Sequence, residues 1–138
     1  MNWEGDGMFS FSVQTTARTS MVNITRKVQE AVSESTVQSG ICTVFIPHTT
    51  AGVTINENAD PDVVSDILRE VNKIVPFEDD YSHMEGNSAA HIKASMFGFS
   101  LQVVVEGGKL MLGTWQGIYF CEFDGPRSRK VFVKVIEG

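Results

Sequence analysis

Cysteine is scarce in this chain. Cys42 and Cys121 are the two present, neither in a CxxC spacing, and each lies in a strand-like apolar run, so both read as buried thiols of a reducing compartment. Long apolar runs are missing as well. Runs such as Ile41 to Ile46 and Val103 to Val105 fall far short of the roughly 20 residues that span a bilayer, so no membrane partner is expected. Basic charge is in deficit. Seventeen acids against eleven bases give a net charge of −6 and a pI near 4.9, the wrong sign for tracking a phosphate backbone, so no nucleic-acid partner is expected. The opening Met1-Asn2-Trp3-Glu4-Gly5-Asp6 is acidic where a signal peptide would be basic and then apolar, which makes the cytoplasm the expected location. No Pro/Gly/Ser tract is long enough for a disordered half. Walker A, GxGxxG and GxSxG patterns are all absent, so NTP hydrolysis, dinucleotide binding and α/β-hydrolase chemistry lack support.

What is present fits one domain. The 138 residues, 42% apolar and 20% charged, are too few for two independent cores. Phe9, Phe11 and Val13 alternate with polar residues and predict a strand over 9–15. Ile24, Val28 and Ala31–Val32 predict a helix over 22–33, capped by Asn23 or Thr25. Ile41–Ile46 is a strand stopped by Pro47, and extended chain resumes at Val53. Asp60-Pro61-Asp62 opens a second helix with an Asp cap and Pro at its first position, and Pro76 ends it. A short third helix is predicted over 89–95, capped by Asn87 or Ser88. From Phe99 onward the pattern is β, and the last three strands are expected to form a meander. Its middle run, Lys109 to Phe123, is fifteen residues long and holds Gly113 and Gly117, so a bulge or bend at one glycine is expected.

Candidate chemistry follows from residue type and placement. His48, His83 and His91 all sit in polar loops or at a helix start. Three imidazoles suit an open divalent-metal site, with zinc or magnesium as the expected cofactor, and unrelated solvated histidines are the alternative. The Gly86-Asn87 break must fold back if His83 and His91 are to meet, because one continuous helix would separate them by roughly 12 Å. The helix start near Ser88 could instead hold an anion. Among the carboxylates, Glu57 stands at a strand end between two asparagines and Glu122 lies in a β run beside apolar Phe120, which makes these two the candidate acid/base groups. Arg127, after Gly125-Pro126, is the candidate cation for a phosphate or carboxylate, with an ion pair to Asp124 as the alternative. Thr114-Trp115-Gln116 between two glycines would suit a small planar ligand, and a Trp packed across the sheet is the competing reading.

Six blocks then carry a resemblance: Pro47-His48-Thr49-Thr50-Ala51, Asn56-Glu57-Asn58, Asp60-Pro61-Asp62, Gly86-Asn87-Ser88 with His91 and Lys93, Gly113-Thr114-Trp115-Gln116-Gly117, and Glu122-Phe123-Asp124-Gly125-Pro126-Arg127. In this order the chain closely resembles the YjbQ-like family, with residues 1–8 outside the pattern as a loose extension of a single 1–138 domain. The resemblance implies an α+β domain with sandwiched antiparallel sheets and two or three short helices, a homotrimer, and pockets near subunit interfaces where the three histidines converge. The activity it suggests is that of a small phosphate-substrate enzyme, a secondary thiamine-phosphate synthase joining a pyrimidine diphosphate to a thiazole phosphate. The ligand would be a small phosphorylated metabolite held by Thr49, Asn87, Ser88, Thr114, Trp115, Gln116 and Arg127. The alternative is a non-catalytic trimer that binds a metal or small ligand.

Overall fold

The computed structural model describes residues 1–5 and 8–138. Its elements run β1 (Asn2–Gly5), β2 (Met8–Gln14), β3 (Ser20–Asn23), α1 (Thr25–Ser35), β4 (Ser39–Phe45), β5 (Ala51–Glu57), α2 (Pro61–Ile74), α3 (Ser88–Phe97), β6 (Ser100–Glu106), β7 (Lys109–Leu110), β8 (Gln116–Glu122) and β9 (Ser128–Glu137). The strands form a six-stranded sheet, β1-β2-β9-β4-β6-β7, and a three-stranded sheet, β3-β8-β5, with neighbouring strands antiparallel throughout. The α+β class with sandwiched antiparallel sheets is therefore observed, with three helices among the described residues.

Alternation explains the layers. Phe9, Phe11 and Val13 on β2, Cys42 and Val44 on β4, and Val131, Val133 and Val135 on β9 point inward and meet Val53, Ile118 and Phe120 of the small sheet in one core, closed by Val28, Ala31 and Val32 of α1. The small sheet's other face, through Tyr119, Cys121 and Phe123, packs on Ala90 and Ala94 of α3, with Val64, Ile67 and Leu68 of α2 alongside. Residues Gly117 to Glu122 of β8 are all buried, as expected for a middle strand covered on both faces. No helix is long and apolar enough to cross a membrane among the described residues.

Several expectations are corrected. The helix predicted over 22–33 begins only at Thr25, because Val22 belongs to β3, paired with Phe120 of β8. Asn23 Oδ1 does accept from the Thr25 N–H, at 3.0 Å, although the N-cap position is Ile24. The meander does not form. The run from Lys109 to Phe123 is two strands in different sheets: β7 pairs with β6, and Met111–Trp115 crosses to the small sheet where β8 begins. No bulge interrupts the β5–β8 ladder, which is in register from Ala51–Glu122 to Glu57–Gln116. Gly117 is instead a point of close approach, since a Cβ there would stand 2.8 Å from Asn58 Cβ. Within the leading segment expected as an extension, β1 pairs with β2, and Asp6 and Gly7 lie outside the described residues.

Candidate functional site

Four segments converge at the end of the sandwich where β5 begins and β8 ends. Pro47 has no N–H for a ladder and follows directly on β4 and Ile46, so the link to β5 turns away carrying His48, Thr49 and Thr50. The α2–α3 link brings His83 and Glu85, and the start of α3 brings Asn87 and His91. The β8–β9 loop, with its cis Gly125–Pro126 bond, brings Asp124 and Arg127, and β9 adds Arg129. Together they wall a cavity of about 700 Å³. All three histidines line it. The rings of His83 and His91 stand edge to face with centroids 5.4 Å apart, so the chain does fold back at Gly86, which adopts φ +78°.

The strongest electrostatic feature joins Glu122, an expected site residue, to Arg129, which was not among the expected ones. Arg129 is 3% exposed and Glu122 fully buried, and the two form a bidentate pair in which Arg129 Nε donates to Glu122 Oε1 at 2.8 Å and Nη2 donates to Oε2. Nη2 also reaches Thr50 Oγ1 at 2.8 Å. Glu122 accepts further from Thr15 Oγ1 at 2.8 Å and the Asp124 N–H at 3.0 Å, so both oxygens are saturated. Burial alone would raise its pKa, but the bonds from Arg129, Asp124 and Thr15 outweigh burial and hold it below the ordinary value. Glu122 is thus a fixed carboxylate that positions Arg129, with each oxygen engaged by two donors. Nη1 of Arg129 makes no bond to a described group, and the residue lines the cavity.

His48 Nε2 accepts the Lys130 N–H at 2.8 Å. That bond requires an Nε2 lone pair, which places the proton of the neutral ring on Nδ1. Burial and then the Arg129 charge lower its pKa, so the ring is neutral. Among the described residues no three His, Cys, Asp or Glu side chains are grouped to hold one ion. His48, with its Nε2 committed, stands outside a ligand set, and the expected three-histidine metal centre does not fit these side chains as they stand. His83 and His91 remain adjacent.

Arg127 adopts the alternative considered for it. Its Nη2 lies 3.1 Å from Asp124 Oδ2 and its Nε donates to the Asp124 carbonyl at 2.8 Å, with half the side chain exposed. Asn87 Nδ2 donates to the same Asp124 oxygen at 2.9 Å, so Asn87 ties α3 to the loop and makes no side-chain cap. Thr49 lines the cavity. Ser88 is the first residue of α3 and lies in an adjoining depression with Tyr81, His83, His91 and Ile92.

Glu57, Thr114, Trp115 and Gln116 are not brought to the cavity. They cluster at the opposite end of the β5–β8 ladder, where Glu57 pairs with Gln116 and the Asn58 N–H bonds the Trp115 carbonyl. Six residue steps separate the two ends, about 20 Å at strand spacing. Trp115 is 63% exposed rather than packed across the sheet. Cys42 and Cys121 are free and buried, and burial pushes both thiols up to about 12, so neither supplies a thiolate.

Fold and cavity together define a small two-sheet α+β protein with a histidine- and arginine-walled chamber at one end of its sandwich. The chain belongs to the YjbQ-like family: the model described as UPF0047 protein YjbQ-like matches residues 9–138. It is 52% identical to UPF0047 protein YugU of Bacillus subtilis, over 92% of this chain and 97% of that protein. It is 49% identical to UPF0047 protein MJ1081 of Methanocaldococcus jannaschii, over 94% of each. Among solved structures, an uncharacterised YjbQ/UPF0047 family protein from Clostridium acetobutylicum superposes with a TM-score of 0.92 at 59% identity, covering 93% of this chain and 99% of that one. A protein of unknown function from Sulfolobus solfataricus gives 0.91 at 31% identity, covering 95% and 96%.

Proposed function

We propose that this chain is a small enzyme acting on a phosphorylated metabolite, with Arg129 as its anion-holding group. The observation that carries this reading is the buried Arg129: locked on two edges by Glu122 and Thr50, it keeps Nη1 unbonded at the wall of a cavity that also holds three imidazoles. A guanidinium fixed in advance loses little entropy on binding phosphate. Neutral His48 with its proton on Nδ1 is a hydrogen-bond donor, and His83 and His91 are the candidates for proton transfer. In the thiamine-phosphate synthase version, Arg129 would neutralise the departing pyrophosphate. The methylene C–O bond of the pyrimidine diphosphate breaks with its electron pair leaving on oxygen, and the thiazole nitrogen lone pair forms the new C–N bond. Glu57 and Trp115 could reach such a substrate only from a neighbouring copy in the homotrimer. Calorimetry with inorganic pyrophosphate is the test. Arg129→Lys is expected to weaken binding about ten- to a hundredfold through loss of the planar fork, and Arg127→Lys to change it less. Equal affinity in wild type and Arg129→Lys would overturn the assignment.

A second reading, a non-catalytic ligand- or metal-binding trimer, is favoured by the His83–His91 contact. Here a divalent ion, zinc by the preference of imidazole nitrogen, would be held by those two histidines without His48. Metal analysis of untagged protein checks the ion. Turnover that disappears in His48→Ala while the assembly stays intact would decide for the enzyme.

A further inference from the structure

Lys93 has no part in the chemistry above. Its side chain is fully buried and lies two residues beyond His91 on α3, about 200° around the helix. Buried ammonium groups ordinarily meet a carboxylate. Here Nζ donates to Asn72 Oδ1 of α2 at 2.6 Å, and Asn72 Nδ2 in turn reaches Thr19 Oγ1 at 3.4 Å. Its other contact is the Phe77 ring, 4.2 Å from Nζ to centroid, and the Arg18 guanidinium carbon lies 3.9 Å from the same centroid. Burial first, and the neighbouring Arg18 charge second, lower the Lys93 pKa. Two cations on one ring, with no acid paired to Lys93 among the described residues, are a costly way to hold an aromatic side chain.

Phe77 stands near the start of the link from α2 to α3, a stretch without helix or strand that carries His83 and Glu85 into the cavity wall. The far end of this link is fixed by Asn87 on Asp124. Between the two ends the bonds are local, from Tyr81 Oη to the Pro76 carbonyl at 2.6 Å and from the Gly86 N–H to the His83 carbonyl at 3.3 Å. Among the described residues the His83 side chain makes no hydrogen bond, and its one ring contact is the edge of His91. We propose that Phe77, held by Lys93 and Arg18, is the anchor that sets where His83 stands in the cavity, which makes Lys93 a positioning residue of the site. The inference rests on the anion-site reading for its functional consequence and on the Phe77 contacts for its geometry.

The test is NMR of histidine-labelled full chain, with no ligand added. In wild type the neighbouring His91 ring, 5.4 Å away, is expected to displace the His83 C–H resonances from free-histidine positions. Phe77→Leu keeps an apolar side chain without a π face, and Lys93→Met keeps the length without the charge. Both are expected to return the His83 resonances most of the way to free-histidine values while His48 stays in place, and Phe77→Trp is expected to retain the wild-type pattern. With inorganic phosphate as the probe, affinity in the two disrupting variants is expected to fall about three- to tenfold, the cost of ordering one side chain. Unmoved His83 resonances in either folded variant would overturn the anchor, and if one variant does not fold the other decides. Displaced resonances in a protein whose wild type does not bind phosphate would uphold the anchor and remove the anion reading.

Discussion

Glu122 and Arg129 decide most at the scale of single residues. Each is costly to bury alone, and together they are compensated by Thr15, Thr50 and the Asp124 N–H. Glu122→Gln breaks the ionic half of the pair and leaves Arg129 uncompensated, so a loss of about 3–5 kcal/mol in chemical denaturation is expected. The acid response follows from two lowered pKa values. Folded Glu122 stays ionised below the ordinary 4.5 and folded His48 stays neutral below the ordinary 6.5. In each case the unfolded chain takes up the proton first, so stability falls as pH drops. The decline is expected in two stages, beginning below about 6.5 from His48 and steepening below about 4.5 from Glu122. His48→Gln should remove the first stage and leave the second, as read by thermal melts across pH; a wild-type melting temperature flat from pH 7 to 5 would contradict this. Arg129 was legible in principle. It stands in phase with Val131, Val133 and Val135, a charge at an inward position of an alternating strand. Arg127, a loop cation after proline, is the more presentable of the two, and its local alternative, the ion pair with Asp124 three residues before it, is the one that forms.

Elements with their own period or cap were readable from the chain. β2 shows through Phe9, Phe11 and Val13, and α2 through Asp60, whose Oδ1 accepts the Asp62 N–H at 2.9 Å. Asp60→Ala should therefore cost about 1 kcal/mol and leave the site intact. The split of Lys109 to Phe123 between two sheets was not readable, because period 2 continues on either side of a crossing and only the partner strands tell the sheets apart. Contacts between elements are equally silent. Gly52 illustrates this, since a Cβ there would lie 2.7 Å from the Gly98 carbonyl and 3.3 Å from Phe97 Cβ. Gly52→Ala must push β5 away from the end of α3, the helix that carries His91. A melting temperature lowered by several degrees together with shifted His91 resonances is expected; a silent substitution would show that the two elements separate freely.

At the scale of the whole molecule, the described residues leave an apolar row exposed on the larger sheet. On the outer face of the six-stranded sheet Ile41 lies directly across from Val104 on one side and Ile136 on the other, and these are 36%, 51% and 55% exposed. Phe45 and Phe99, with rings edge to face at 5.8 Å, form a second apolar spot, set apart from this row by Lys134, Thr43 and Gln102. Single exposed apolar residues need no explanation, but a row continuous across three strands marks a contact surface. A net charge of −6 offsets the solubility cost of exposing such a row. If this face joins the proposed homotrimer, a lysine at its centre inserts an unpaired charge into the interface. Val104→Lys is expected to reduce the mass found by light scattering to one subunit of 15.2 kDa. If the Arg129 cavity groups of one chain suffice to hold the anion, this monomer should retain pyrophosphate affinity within about twofold, and a larger loss would place a neighbour's residues in the site. Glu57 and Trp115 stand about 20 Å along the ladder from that cavity and can serve it only from a neighbour. Any turnover that uses them should therefore vanish in Val104→Lys while binding persists. A monomer with full turnover would remove both residues from the reaction, and a variant still at wild-type mass would move the interface to another face.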